Sequence, residues 1–168
     1  MYKRIMIIGS PGSGKSTLGH KLHNKIDLPL YHLDEIQWIN NKETIDSKLF
    51  EKTLNELVER DEWIIDGNYN RTIEVRLKRA DLVIWLNYSR TICMFRIFKR
   101  LFQSIFINPQ GGNPKTISLE FIKFVWNFKD TYEKRLFDLK DKNSDKNEWI
   151  ILNYKHETKL FYDKLNGS

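Results

Sequence analysis

A single cysteine, Cys93, leaves the 168-residue chain without a partner for an internal disulfide. That usage suits a reducing cytosol, so a cytoplasmic protein is expected. Cys93 lies among apolar residues at helical spacing, which predicts a core-filling thiol rather than a reactive one. The four histidines and the cysteine show no metal-ligand spacing, and no protein-bound zinc is expected. No apolar run is long enough to span a membrane. The N-terminal run is too short for a signal peptide and leads straight into a glycine-rich segment, so it reads as a strand. Acidic residues are missing between Leu82 and Leu119, where Arg90, Arg96, Lys99, Arg100 and Lys115 fall. That block fits either a polyanion such as nucleic acid or the phosphates of one triphosphate. Lys99 and Lys115 also fit a solvated surface.

What is present is equally specific. Gly9-Ser10-Pro11-Gly12-Ser13-Gly14-Lys15-Ser16-Thr17 follows the apolar run Arg4–Ile8 and precedes Leu18, Leu22 and Ile26 at helical spacing. Strand, glycine loop and helix therefore occur in the order that a phosphate-binding loop requires. The glycines let backbone N–H groups turn inward, and the helix directs its positive dipole end at the same spot. Lys15 adds a point charge among phosphate oxygens, Ser16 offers a hydroxyl to Mg²⁺, and Thr17 helps start the helix. The expected ligand is a nucleoside triphosphate. A dinucleotide fold would need G-x-G-x-x-G, whereas Gly12-x-Gly14 runs into Lys15-Ser16-Thr17.

The length predicts one domain over residues 1–168. Further apolar runs at Leu28–Leu33, Trp63–Ile65, Leu82–Leu86 and Trp149–Leu152 read as strands. Helical spacing lies between them at roughly 48–60, 70–79, 89–104, 117–139 and 155–165. This alternation predicts an α/β fold with a parallel sheet covered on both faces and the ligand at the carboxyl ends of its strands. The segment Ser104–Lys115 interrupts the pattern with two prolines, two glycines and two asparagines. It reads as a lid-like insertion, about 104–116, or as a plain connection between helices.

Polar residues follow the strands. Asp66, after Trp63-Ile64-Ile65, stands where a carboxylate would hold Mg²⁺ or cap a helix. Asp34 stands either to meet substrate as a base or to cap a short helix through Ile36 and Trp38. Trp38 either lines an acceptor pocket or packs. Arg96 and Arg100, four apart, share one helix face, so one guanidinium can stack on a base while the other reaches phosphate. Arg135, on the helix after the insertion, can approach from the other side. Trp63, Trp85 and Trp149 read as packing residues, and Trp126 falls with Phe121, Val125 and Phe128 in an apolar stripe.

Several segments together are similar to the adenylate-kinase-related P-loop kinases and, more narrowly, to the bacterial DNA topology modulation proteins. They are Tyr31-His32-Leu33-Asp34-Glu35-Ile36-Gln37-Trp38, Trp63-Ile64-Ile65-Asp66-Gly67-Asn68-Tyr69, Arg96-x-x-x-Arg100 and Phe124-Val125-Trp126-Asn127-Phe128. The resemblance implies a P-loop NTPase fold with five parallel strands in the order 2-3-1-4-5. It implies that Asp66 meets Mg²⁺ through water and that Arg96 and Arg100 contact adenine and phosphate. Arg71 falls one residue from the arginine that grips an acceptor phosphate. Two departures stand out. Asn87 replaces an aspartate frequent in relatives and is given no metal role, and Ser104–Lys115 lacks the arginines of adenylate-kinase lids.

The expected function is ATP-dependent transfer of a phosphoryl group to a small-molecule, nucleotide-like acceptor, with Mg²⁺. Gly9–Thr17 would hold ATP, and Ser16 and Asp66 the metal. Lys15, Asp66, Arg96, Arg100 and Arg135 would serve the transfer. Asp34, Trp38, Asn68, Tyr69 and Arg71 would line the acceptor site. The alternative is a nucleotide-dependent regulator that contacts DNA through the basic helix around Arg90–Arg100, with little or no phosphotransfer. A pure hydrolase would need a residue that orients water, and none is evident.

Overall fold

Side chains that alternate along a strand must be apolar on both sides when helices cover both faces. Three strands meet that condition: β1 (Arg4–Gly9), β3 (Trp63–Asp66) and β4 (Leu82–Leu86), in which every residue but Arg4 is buried. They form the centre of a five-stranded parallel sheet, flanked by β2 (Leu30–His32) and β5 (Glu148–Leu152) in the order β2-β3-β1-β4-β5. This is the order implied by the resemblance. The structure is a computed structural model and describes residues 2–37, 43–107 and 117–165.

One face of the sheet carries Ile5, Ile7, Ile64 and Ile84 against Leu18 and Leu22 of α1 (Lys15–Ile26), with Phe161 and Tyr162 of α7 (Lys155–Lys164) at its margin. The other carries Met6, Ile8, Trp63, Ile65 and Trp85. These meet α3 (Ser47–Val58), α4 (Ile73–Leu77) and the C-terminal half of α6 (Leu119–Lys142). A smaller cluster joins Tyr88, and Cys93, Met94 and Ile97 of α5 (Arg90–Phe102), to Val125 of α6. A buried aliphatic side chain contributes about 1.5–3 kcal/mol, against about 1 kcal/mol for a helix cap. The sheet layers therefore dominate over caps such as Asp46, whose carboxylate accepts from the Lys48 and Leu49 N–H groups.

Several sequence expectations shift in detail. The helix expected to end near 104 passes from α5 into a π-helical turn, Gln103–Ile107, so helical winding continues past the expected start of the insertion. Residues 108–116, the rest of the lid-like insertion, lie outside the described residues, as does Trp38. The helix expected over 70–79 divides into a 3₁₀ turn, Asn70–Thr72, and α4. Short α2 (Leu33–Gln37) starts just before Asp34. Trp126 leaves the expected stripe. Val125 faces α5 and Phe128 is buried, so the residue about 100° round the helix from Val125 points outward, under the Arg90 guanidinium. Trp63 and Trp85 are buried and Trp149 packs against their cluster. Among the described residues no helix is long and apolar enough to cross a membrane.

Candidate active site

The glycine loop leaves the carboxyl end of β1, at the middle of the sheet, and is gripped from three sides. The α5 backbone closes the first. At Gly12, φ is +78°, and a Cβ would stand 2.5 Å from the Cys93 carbonyl oxygen and 3.0 Å from Ile97 Cγ1. Only glycine lets loop and helix approach this closely. Burial pushes the thiol of the nearby Cys93 above its ordinary pKa. From the same helix Arg96 donates through Nη1 to the carbonyls of Ser13 (2.8 Å) and Gly12 (3.4 Å), its guanidinium 4.7 Å from the Tyr88 ring centre.

The loop after β3 grips the second side. Asn68 Oδ1 accepts from the Gly9 N–H and its Nδ2 donates to the Gly9 carbonyl. The third hold is internal: Lys15 Nζ donates to the carbonyls of Gly9 (3.0 Å) and Ser10 (3.3 Å). Burial lowers the Lys15 pKa, while the charges of Asp66 and Asp34 act to raise it. Ser16 and Thr17 lie exposed in the first turn of α1, behind a Gly14 cap that uses no side chain.

Asp66 ends β3 and is almost wholly buried. In the parallel register it pairs with His32, the last residue of β2, and both side chains leave the α1 face of the sheet. His32 Nδ1 meets Asp66 Oδ2 at 2.9 Å. The other carboxylate oxygen makes no hydrogen bond among the described residues. Asp34 accepts at 2.9 Å from the Tyr69 hydroxyl, whose pKa is raised by burial and by the Asp34 charge. Lys15, Asp66 and Asp34 therefore belong to one electrostatic cluster.

The remaining expected residues divide. Arg71 is exposed and makes no hydrogen bond or ion pair among the described residues. Arg135 reaches the neighbouring loop, donating to the Asn70 carbonyl (3.4 Å) and lying 3.9 Å from Glu74. Arg100 is exposed and within electrostatic range of Lys15. Arg90, in the same basic block, is held by Asp130 through two hydrogen bonds. Asn87 donates to Glu133 and Asn153.

Two residues of the site carried no assigned role in the sequence. Arg76 is fully buried and donates to the carbonyls of Gly67 (2.7 Å), Asn68 (2.6 Å) and Tyr69 (3.4 Å). Burial lowers its pKa, and Asp66 acts to raise it. It holds the Asp66–Tyr69 loop from beneath, where Gly67 has φ +135° and a Cβ would meet Leu33. His32 is the other. Its period-2 spacing from Leu30 is readable in the sequence, but its pairing with Asp66 is not.

The donor chemistry fits Mg²⁺ bound together with phosphates. Ser16 and Asp66 supply hard oxygens. Among the described residues no group of three or more His, Cys, Asp or Glu is placed to hold a metal.

No protein-family model and no curated protein sequence matches the chain. Solved structures do. Shikimate kinase from Acinetobacter baumannii, in complex with shikimate, superposes with a TM-score of 0.57 at 18% identity, covering 98% of this chain and 90% of that chain. At that identity the likeness concerns the fold. The chain shares the fold of that shikimate kinase over nearly its whole length.

Proposed function

We propose that the protein binds ATP with Mg²⁺ at Gly9–Thr17 and transfers the γ-phosphoryl group to a hydroxyl of a small, nucleotide-like acceptor. The observation that carries this reading is a Lys15 ammonium folded back onto its own glycine loop, where the charges of Asp66 and Asp34 act on it. Phosphoryl transfer asks chiefly for positioned charge. Lys15 would leave the Gly9 and Ser10 carbonyls for phosphate oxygens. Ser16 and Asp66 would hold the metal, which supplies neutralisation of the phosphate charge. Arg100, which makes no side-chain hydrogen bond or ion pair among the described residues, would reach phosphate or base, while Arg96 shapes the loop through Ser13.

The acceptor would lie against Asp34, Tyr69 and Arg71, with Trp38 as a further expected wall. Asp34 would take the hydroxyl proton as the acceptor oxygen bonds to phosphorus and ADP departs. Asn68 serves this reading through its bond to Gly9, and Arg135 through the Asn70 carbonyl. The DNA-binding alternative has less to draw on. Arg90 and Arg96 of the basic block are both engaged within the protein.

The test is ADP release from Mg²⁺–ATP across nucleoside monophosphates, nucleosides and small hydroxyl acids, with Lys15→Ala as control. Acceptor-stimulated release that Lys15→Ala abolishes is expected. Release in the Lys15→Ala protein equal to the parent's would overturn the assignment.

A further inference from the structure

We infer that His32 is a positioning residue for the metal-binding carboxylate: its Nδ1–H fixes Asp66 so that the free carboxylate oxygen faces the Mg²⁺–nucleotide site. The inference rests on the proposed function and deepens it.

His32 and Asp66 are register partners at the carboxyl ends of adjacent parallel strands, so their side chains leave the same face side by side. The 2.9 Å bond uses Oδ2 alone. His32 is nearly buried, its side chain 11% exposed, and its Nε2 has no hydrogen-bond partner among the described residues. The ring also lies 4.9 Å from that of His20, on the helix that follows the phosphate loop. An apolar side chain would fill this strand-end position without leaving a ring nitrogen unpaired. The imidazole is thus poorly accounted for by packing and well accounted for by its bond to Asp66. The bond to one oxygen restrains rotation of the carboxylate and so orients its second oxygen. Partners of this kind commonly set metal affinity without touching the metal.

The experiment is calorimetric titration of ADP over a series of free Mg²⁺ concentrations, with thermal unfolding of each variant. In His32→Leu, metal-free ADP affinity is expected to stay within about twofold, while the Mg²⁺ needed for half of the metal-dependent gain rises about tenfold or more. His32→Asn, whose amide N–H can reach the same oxygen, is expected to stay within about threefold of the parent in Mg²⁺ requirement. A parental Mg²⁺ requirement in His32→Leu overturns the inference. So does loss of metal-free binding in that variant, which marks a purely structural role, or an Asn variant as impaired as the Leu variant. If the parent itself fails to bind ADP, or binds it without any effect of Mg²⁺, the proposed function falls and takes the inference with it.

Discussion

Asn68 and Gly9 close a two-bond ring: Asn68 Oδ1 accepts from the Gly9 N–H at 3.1 Å while its Nδ2 donates to the Gly9 carbonyl at 2.8 Å. The pair fastens the loop after β3 to the start of the glycine loop. Asn68→Asp keeps the acceptor and loses the donor, setting a carboxylate against a carbonyl oxygen. The expected cost is about 1–3 kcal/mol of stability. A drop in ATP affinity on the order of tenfold should accompany it. Urea unfolding and calorimetric titration report the two effects, and neither is expected from a merely exposed asparagine.

Arg76→Met tests the clamp beneath the same loop. The variant strands the carbonyls of Gly67 and Asn68 in a buried position, at a cost of about 3 kcal/mol. For a chain of this size that is roughly 6–12 °C in Tm. Arg76→Lys should recover only part, because a single ammonium cannot match the fork that meets two carbonyls. A Tm unchanged in the Met variant would show that the clamp is idle.

Arg96 and Arg100 share a helix face and should behave differently. Arg96→Ala removes the donor to Ser13 and the contact with Tyr88, and should destabilise the free protein by about 1–2 kcal/mol. Arg100→Ala should leave the unfolding curve unchanged while weakening acceptor-stimulated ADP release. Unfolding curves without nucleotide, set beside turnover for both variants, separate the roles. Equal destabilisation by the two would contradict them.

Asp81 gives a pH dependence whose sign is fixed. Burial acts to raise its pKa, but hydrogen bonds from the Arg4 guanidinium (2.7 Å) and from the Lys3 and Arg4 N–H groups leave it lowered overall. A carboxyl lowered in the folded state adds stability in full above its unfolded pKa of about 3.9. That stability fades as pH falls through the folded value. Asp81→Asn should therefore cost about 1 kcal/mol at pH 7, an ion pair of partial exposure being worth little more. The gap between parent and variant should narrow toward pH 3 in urea unfolding. A gap constant from pH 7 to pH 3 would contradict the assignment.

Local features of this fold were readable in the sequence, and contacts across it were not. Gly9–Thr17 and the runs at Ile5–Ile8 and Leu82–Leu86 carry their meaning in neighbouring residues, so loop and strands fall where expected. Strand order came through resemblance, since nothing within a strand names its neighbours. His32 and Asp66 stand 34 positions apart and meet only through the β2–β3 register. Arg76 sits in a short segment where an arginine ordinarily faces solvent. Its burial depends on four carbonyls gathered by a loop that the arginine itself helps to shape. Trp126 is the converse: an aromatic residue in an apolar stretch that one step of helical rotation sends outward.

On the proposed function, the bonds from Lys15 to the Gly9 and Ser10 carbonyls would make nucleotide binding an exchange rather than an addition. The ammonium would trade two neutral peptide oxygens for charged phosphate oxygens, and only the difference would reach the measured affinity. A ligand that fills the pocket without a phosphate group has nothing to offer in that trade. The loop would thus carry its own competitor, one that discriminates against uncharged mimics.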